Sequence, residues 1–243
     1  MTTLAGLWSA LGFLSVLPMG RGLRPDRDMV PWFPVAGLVI GMAWAGLDAA
    51  VGLVLDGWLR SWIAVLLLAG LTGGLHLDGL ADTADGLLSH RGRERALEIM
   101  RDSRIGTWGV LALVAILGIK AGALGELEGG WSRAACLVFV PAYARAAVLA
   151  VMAWLPYVRG AEGMASGLSD FSRFRSLALF GVVVLLSLVS GPGWNMIWSC
   201  LVATLGLGFW FSRILGGVTG DTLGTVIEVG EAAMLLTLAS AWA

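Results

Sequence analysis

Charge is scarce in this chain. It has 16 Lys and Arg and 17 Asp and Glu among 243 residues, 14%, where an ordinary soluble domain carries about 25%. So few charged side chains cannot cover a water-facing surface when 58% of the residues are hydrophobic, which excludes a soluble globular enzyme. The same apolar richness excludes a disordered chain. The two cysteines, Cys136 and Cys200, fall inside apolar runs; they read as small buried packing residues and exclude a disulfide-stapled domain. A formal net charge of −1 leaves no global basic field, so no nucleic-acid partner is expected. There is no internal repeat and no low-complexity tail. Met1-Thr2-Thr3 lacks the basic start of a cleavable signal peptide.

What is abundant is long hydrophobic run. A helix needs roughly 20 apolar residues to cross a bilayer. The charge-poor stretches that qualify are Met29–Leu55, Ser61–Leu77, Ile105–Gly125, Ala134–Val158, Ser176–Ser212 and Thr222–Ala243. Ser176–Ser212 holds 37 residues without a charge, enough for two spans hinged at Gly191-Pro192-Gly193. The expectation is a single all-α, polytopic transmembrane bundle over residues 1–243, of about seven spans (six to eight). The apolar run Leu4–Leu17 is too short to count and is expected in the interface or re-entering the membrane. With the first span starting inside, the inside segments hold Arg21, Arg24, Arg27, Arg91, Arg93, Arg95, Arg101, Arg104, Arg159, Arg173, Arg175 and Arg213, and the outside segments only Arg60 and Arg133. That asymmetry predicts a cytoplasmic N-terminus. The 35 glycines suit close helix packing in lipid.

The few acids are concentrated. In Gly74-Leu-His76-Leu-Asp78-Gly-Leu-Ala-Asp82-Thr-Ala-Asp85-Gly86, three aspartates at i, i+4, i+7 share one helix face over roughly 10 Å. Like charges so stacked repel, and a divalent cation reverses that sign; hard carboxylate oxygens suit Mg²⁺ with water and substrate phosphate. The plainer reading is a solvated acidic helix end. Next comes a charged helix, Arg91–Arg104, with an apolar stripe of Ala96, Leu97, Ile99 and Met100. It is expected as a short cytoplasmic amphipathic helix held down by arginines. In the sharper version Asp102 or Glu98 completes the metal shell or acts as a base, and Arg101 and Arg104 clamp phosphates. Such a kit at one face suits phosphoryl-group transfer.

Lys120 and Arg145 interrupt apolar spans, and Glu228 and Glu231 are the intramembrane acids at i, i+3. These four form either a structural ion-pair network, the lining of a polar substrate cavity, or the path of an ion-coupled transporter. The segment Gly216–Gly224 opens the last helix. There Thr219, Asp221 and Thr222 either present an anion site at the helix start or reflect a simple Asp221 N-cap, with Gly220 and Gly224 as a packing pair.

Three blocks resemble one family. Gly74–Gly86, Leu97-Glu-Ile-Met-Arg-Asp-Ser-Arg-Ile-Gly-Thr107 and Gly216–Glu231 are similar to the cobalamin (5′-phosphate) synthase family, the adenosylcobinamide-GDP ribazoletransferases. Phe33–Gly41 and Glu162–Met164 are weaker echoes. The resemblance implies an integral enzyme of the bacterial inner membrane with its site facing the cytoplasm. It implies a Mg²⁺-dependent reaction joining α-ribazole, or its 5′-phosphate, to adenosylcobinamide-GDP with release of GMP. In that reading Asp78, Asp82 and Asp85 hold the metal, and Asp102 or Glu98 is the base. His76, Arg101, Arg104, Lys120, Arg145, Thr219, Asp221, Thr222, Glu228 and Glu231 bind or brace substrate. A broader similarity is to the CDP-alcohol phosphotransferases: Asp82-x-x-Asp85-Gly86 matches the first half of their aspartate motif, and Glu98-x-x-x-Asp102 departs from the second. A lipid-alcohol phosphotransferase and an ion-coupled transporter are the rival functions. Oligomeric state is left open, a homo-oligomer included.

Overall fold

The computed structural model describes residues 3–17, 27–127, 130–159, 168, 171–191 and 193–242. Arg21, Arg24, Pro192 and the Glu162–Met164 echo lie outside the described residues. Helices follow in the order α1 Thr3–Leu14, α2 Phe33–Val51, α3 Gly57–Leu71, α4 Leu75–Leu87, α5 Arg93–Ile99, α6 Thr107–Glu126, α7 Trp131–Trp154, α8 Arg173–Ser190, α9 Gly193–Leu215 and α10 Gly220–Trp242. Among the described residues six of them, α2 and α6 to α10, are long and apolar enough to cross a membrane, and α3 with α4, a sharply bent pair, brings the number to seven if counted as one span. The chain is a multi-pass membrane protein.

Burial sorts these helices. α7 and α10 are the inner ones, with 83% and 78% of their apolar windows buried, whereas α8 and α9 are only 17% and 22% buried and face outward. The tightest contact is α2 against α7, made possible by glycine. A Cβ on Gly37 would lie 2.5 Å from the Pro141 carbonyl oxygen, and one on Gly41 would lie 2.1 Å from that of Val138. This is the small-residue spacing by which membrane helices bring backbones together. α1 is too short to cross and packs on the bundle through buried Ala10, Leu11 and Leu14.

The second span differs from expectation. Helix α3 stops at Leu71, and the chain turns by 93° into α4. Gly73 and Gly74 adopt φ of 63° and 69° in succession, left-handed backbone that residues with a Cβ adopt at a cost. The aspartates therefore do not end a straight span; they lie on a separate helix wedged between α6 and α10.

The arginine-rich ends gather at one end of the bundle. Arg159, after α7, reaches the start of α10 and the loop after α5. Arg173 donates to Ala153 O, and the Arg175 guanidinium lies over the Trp32 ring before α2. At the other end Arg60 and Arg133 share one carboxylate, Asp48, at 2.8 and 2.9 Å.

Candidate active site

Helices α4 and α10 cross where neither has bulk. A Cβ on Gly79 would lie 2.8 Å from Asp221 O, and one on Gly224 would lie 3.1 Å from His76 O. Thr225 Oγ1 donates to Gly79 O at 3.3 Å and ties the crossing. Gly224 thus packs as expected, whereas a Cβ on Gly220 would meet nothing. The close approach sets Asp221 beside the α4 aspartates: Asp82 interacts electrostatically with Asp221, Asp78, Asp85 and Arg159.

Asp221 is not the cap of α10. Thr219 and Thr222 cap it reciprocally, the Thr222 amide donating to Thr219 Oγ1 at 3.2 Å and the Thr219 amide to Thr222 Oγ1 at 2.8 Å. Freed from capping, Asp221 pairs with Arg159 at 2.7 Å. Asp85 has a different task from its neighbours. Its oxygens accept the amides of Gly106 at 2.6 Å and Gly109 at 2.8 Å, so it caps α6 from another helix, at the end where the helix dipole favours an anion. The carboxylates of Asp78 and Asp82 carry no hydrogen bond or ion pair among the described residues.

Two cavities meet at Asp78. The polar one, about 220 Å³, is bordered by Asp78, Asp82, Met100, Arg101, Asp102 and Ser103. The other, about 260 Å³, has apolar walls from α1, α2, α7 and α10, with His76, Asp78, Tyr157, Arg159 and Asp221 as its polar members. Burial pushes the Tyr157 phenol above its ordinary pKa, so it stays protonated. Asp102 accepts the Arg104 backbone N–H, Nε and Nη2, which holds its carboxyl down at about 2.

The expected site residues therefore separate. Asp78, Asp82, Arg101 and Asp102 come together around the polar cavity, and His76, Asp78 and Asp221 around the apolar one. Glu98 points outward, paired with Arg95 at 2.7 Å, and Arg104 is 87% exposed; neither borders either of these two cavities. The two halves of the CDP-alcohol-like motif converge only in part: Asp82 and Asp102 border the polar cavity, whereas Asp85 is a cap and Glu98 faces away. Lys120, Arg145, Glu228 and Glu231 border neither cavity. Lys120 Nζ lies 2.6 Å from both Glu228 and Glu231, and Arg145 pairs with Glu231. Two cations and two anions thus pair in one buried network, the structural reading of these residues, with Arg145 Nε and Nη2 left without a hydrogen-bond partner among the described residues. Arg159 and Tyr157 are the site members that sequence reasoning missed. Arg159 counted only as a marker of sidedness, although an arginine just past a span, on the side of the acidic cluster, was a usable signal.

Among the described residues no three His, Cys, Asp or Glu side chains converge into a metal cage. Mg²⁺ itself needs no such cage, because it keeps waters and takes one or two carboxylates plus phosphate oxygens. Asp78 and Asp82, uncommitted and one turn apart beside a polar cavity, are such a pair.

Comparison with known proteins agrees in extent. A family model described as cobalamin-5-phosphate synthase matches residues 6–239. The chain is 37% identical over 246 residues to the adenosylcobinamide-GDP ribazoletransferase of Brevibacillus brevis, covering 96% of this chain and 97% of that protein. It is 40% identical over 243 residues to the protein of the same name from Roseiflexus sp., covering 96% and 89%, and 40% identical over 244 residues to that of Klebsiella pneumoniae, covering 95% and 98%. No solved structure matches the chain.

Proposed function

The chain belongs to the cobalamin-5-phosphate synthase family, and from that premise we propose that it joins α-ribazole, or its 5′-phosphate, to adenosylcobinamide-GDP and releases GMP. The observation that carries this reading is the pair of cavities sharing Asp78: a polar one with Asp82 and Arg101, and an apolar one with Asp221 in its lining. A reaction between a diphosphate donor and a riboside acceptor needs two such places side by side.

Asp78 and Asp82 would hold Mg²⁺, which when bound neutralises diphosphate charge and strengthens the phosphorus as an electrophile. Arg101 draws the negative oxygens of the diphosphate into the polar cavity. Asp221, oriented by Arg159 at 2.7 Å, takes the proton of the attacking ribose hydroxyl. That oxygen forms the new bond to the phosphorus carrying the cobinamide arm, the bond from this phosphorus to GMP breaks, and GMP leaves. Asp102, held at about 2 by Arg104, is too weak a base for this step and instead shapes the loop that carries Arg101. The arginine-rich end supports a cytoplasmic placement of the site in a bacterial inner membrane.

The test is Asp82→Asn in purified protein supplied with Mg²⁺, adenosylcobinamide-GDP and α-ribazole. GMP release is expected to fall on the order of a hundredfold. Near-normal release would sink the metal assignment.

A further inference from the structure

We propose that a groove between α7 and α8 holds one phospholipid, an acyl chain lying along α7 and the lipid's phosphodiester on Arg173. The groove encloses about 250 Å³. It exists because α7 presents Ala146, Ala150 and Ala153 there, at i, i+4 and i+7 on one helix face. Side chains this small leave space against Leu177 and Phe180 of α8. Only 17% of the apolar window of α8 is buried, and Leu177 is exposed, so the groove opens to the bilayer. Seven residues of helix rise about 10 Å, about two thirds of one leaflet in a hydrocarbon core roughly 30 Å thick. The part of an acyl chain nearest its headgroup fits that length.

Charge says what covers the groove. Arg173 lines it, and the guanidinium lies where α7 ends, donating to Ala153 O at 3.3 Å. A guanidinium has five N–H donors; among the described residues this neutral carbonyl is the one partner of the Arg173 side chain, and no carboxylate pairs with it. α8 opens with Arg173 and Arg175 and has no acid in its first turn, although a helix start disfavours cations. Arg175 is engaged elsewhere, over the Trp32 ring. An anion on Arg173 answers both the unused donors and the uncompensated charge. Trp154 and Phe174 are exposed at the same end, aromatic side chains of the kind that sit at headgroup level, and the anion present at that depth is a lipid phosphate. A second outward groove, bordered by Leu47, Leu66, Gly70 and Leu71 among others, has no charged member and no means of choosing a headgroup.

The test is native mass spectrometry of the purified protein with phosphatidylglycerol and with diacylglycerol of the same chains. One phosphatidylglycerol should stay bound when the remaining lipid is stripped, and be retained about tenfold better than diacylglycerol, the worth of a charge-assisted hydrogen bond. Arg173→Gln should bring the two lipids level. Ala150→Phe, which puts a ring into the groove at an exposed position, should lower the retention of both. Glycerol phosphate, a headgroup without chains, should displace neither. Equal retention of the two lipids by the unmodified protein leaves annular lipid only and overturns the site. A preference that survives Arg173→Gln overturns the role of Arg173, and unchanged retention in folded Ala150→Phe overturns the groove. Displacement by glycerol phosphate means a site for free phosphate and overturns the lipid. The comparison of the two lipids in the unmodified protein needs no variant, so it decides even where Ala150→Phe does not fold. The readout is lipid retention rather than GMP release, so this site stands or falls separately from the proposed reaction.

Discussion

Asp85 accepts two amides at the start of α6, whereas the Asp82 carboxylate, three residues earlier, faces the polar cavity with no partner among the described residues. Spacing along one helix face cannot separate the two roles, because the difference lies in what the face meets. Asp85→Ala should lower stability in detergent by about 1–2 kcal/mol, the worth of a strong helix cap, read as a fall in the thermal midpoint, while the folded fraction keeps its kcat. Asp102 makes the matching case for charge. Its carboxyl, at about 2, is ionised throughout the neutral range. Its folded pKa is depressed, so whatever stability it contributes is present above the unfolded value of 3.8 and is lost only as pH falls towards about 2. The acid limb of the pH–rate profile should therefore sit at the same pH in Asp102→Asn as in the unmodified protein. A limb that moved with this substitution would return Asp102 to the role of base.

At the scale of the element, glycine decides where helices stop and how closely they meet. The turn at Gly73 and Gly74 detaches α4 from α3, and the contacts at Gly79 and Gly224 draw it against α10. Hydropathy carries no trace of this turn: Ser61–Leu77 is a continuous apolar run, and positive φ at two adjacent glycines is a backbone property. The charged helix, by contrast, was legible from its stripe. Ala96 and Met100 are buried and Glu98 is exposed, as its spacing requires, although it is shorter than its charged segment. Gly41→Ala tests the α2–α7 contact, where the added Cβ meets backbone 2.1 Å away. Overpacking of about 1–3 kcal/mol is expected, read as lower thermal stability of the purified protein.

Across the whole molecule, α6, α7 and α10 are joined by Lys120, Arg145, Glu228 and Glu231, two cations and two anions buried together. Removing one member leaves an uncompensated buried charge. Lys120→Met should therefore cost about 3–5 kcal/mol, and Lys120→Met with Glu228→Gln, which restores neutrality, should recover part of it. Thermal unfolding of both variants in the same detergent checks the pair; equal loss in the two would show that charge balance is not what the network provides.

The sequence by itself determined that the chain crosses a membrane several times, that one end is basic, and that a cluster of acids lies beside that end. These are properties of composition and local order, because a lipid solvent admits long apolar helices and forces each charge to have a reason. Only the tertiary structure decided which carboxylates face the cavities. It spent Asp85 on a helix start, paired the intramembrane charges with one another, and brought Arg159 and Tyr157 to Asp221 from a loop some 60 residues away. The physical reason is that a polar side chain takes its role from its partner. For Asp85, Glu231 and Asp221 that partner stands on another helix, at a distance along the chain that no local pattern records.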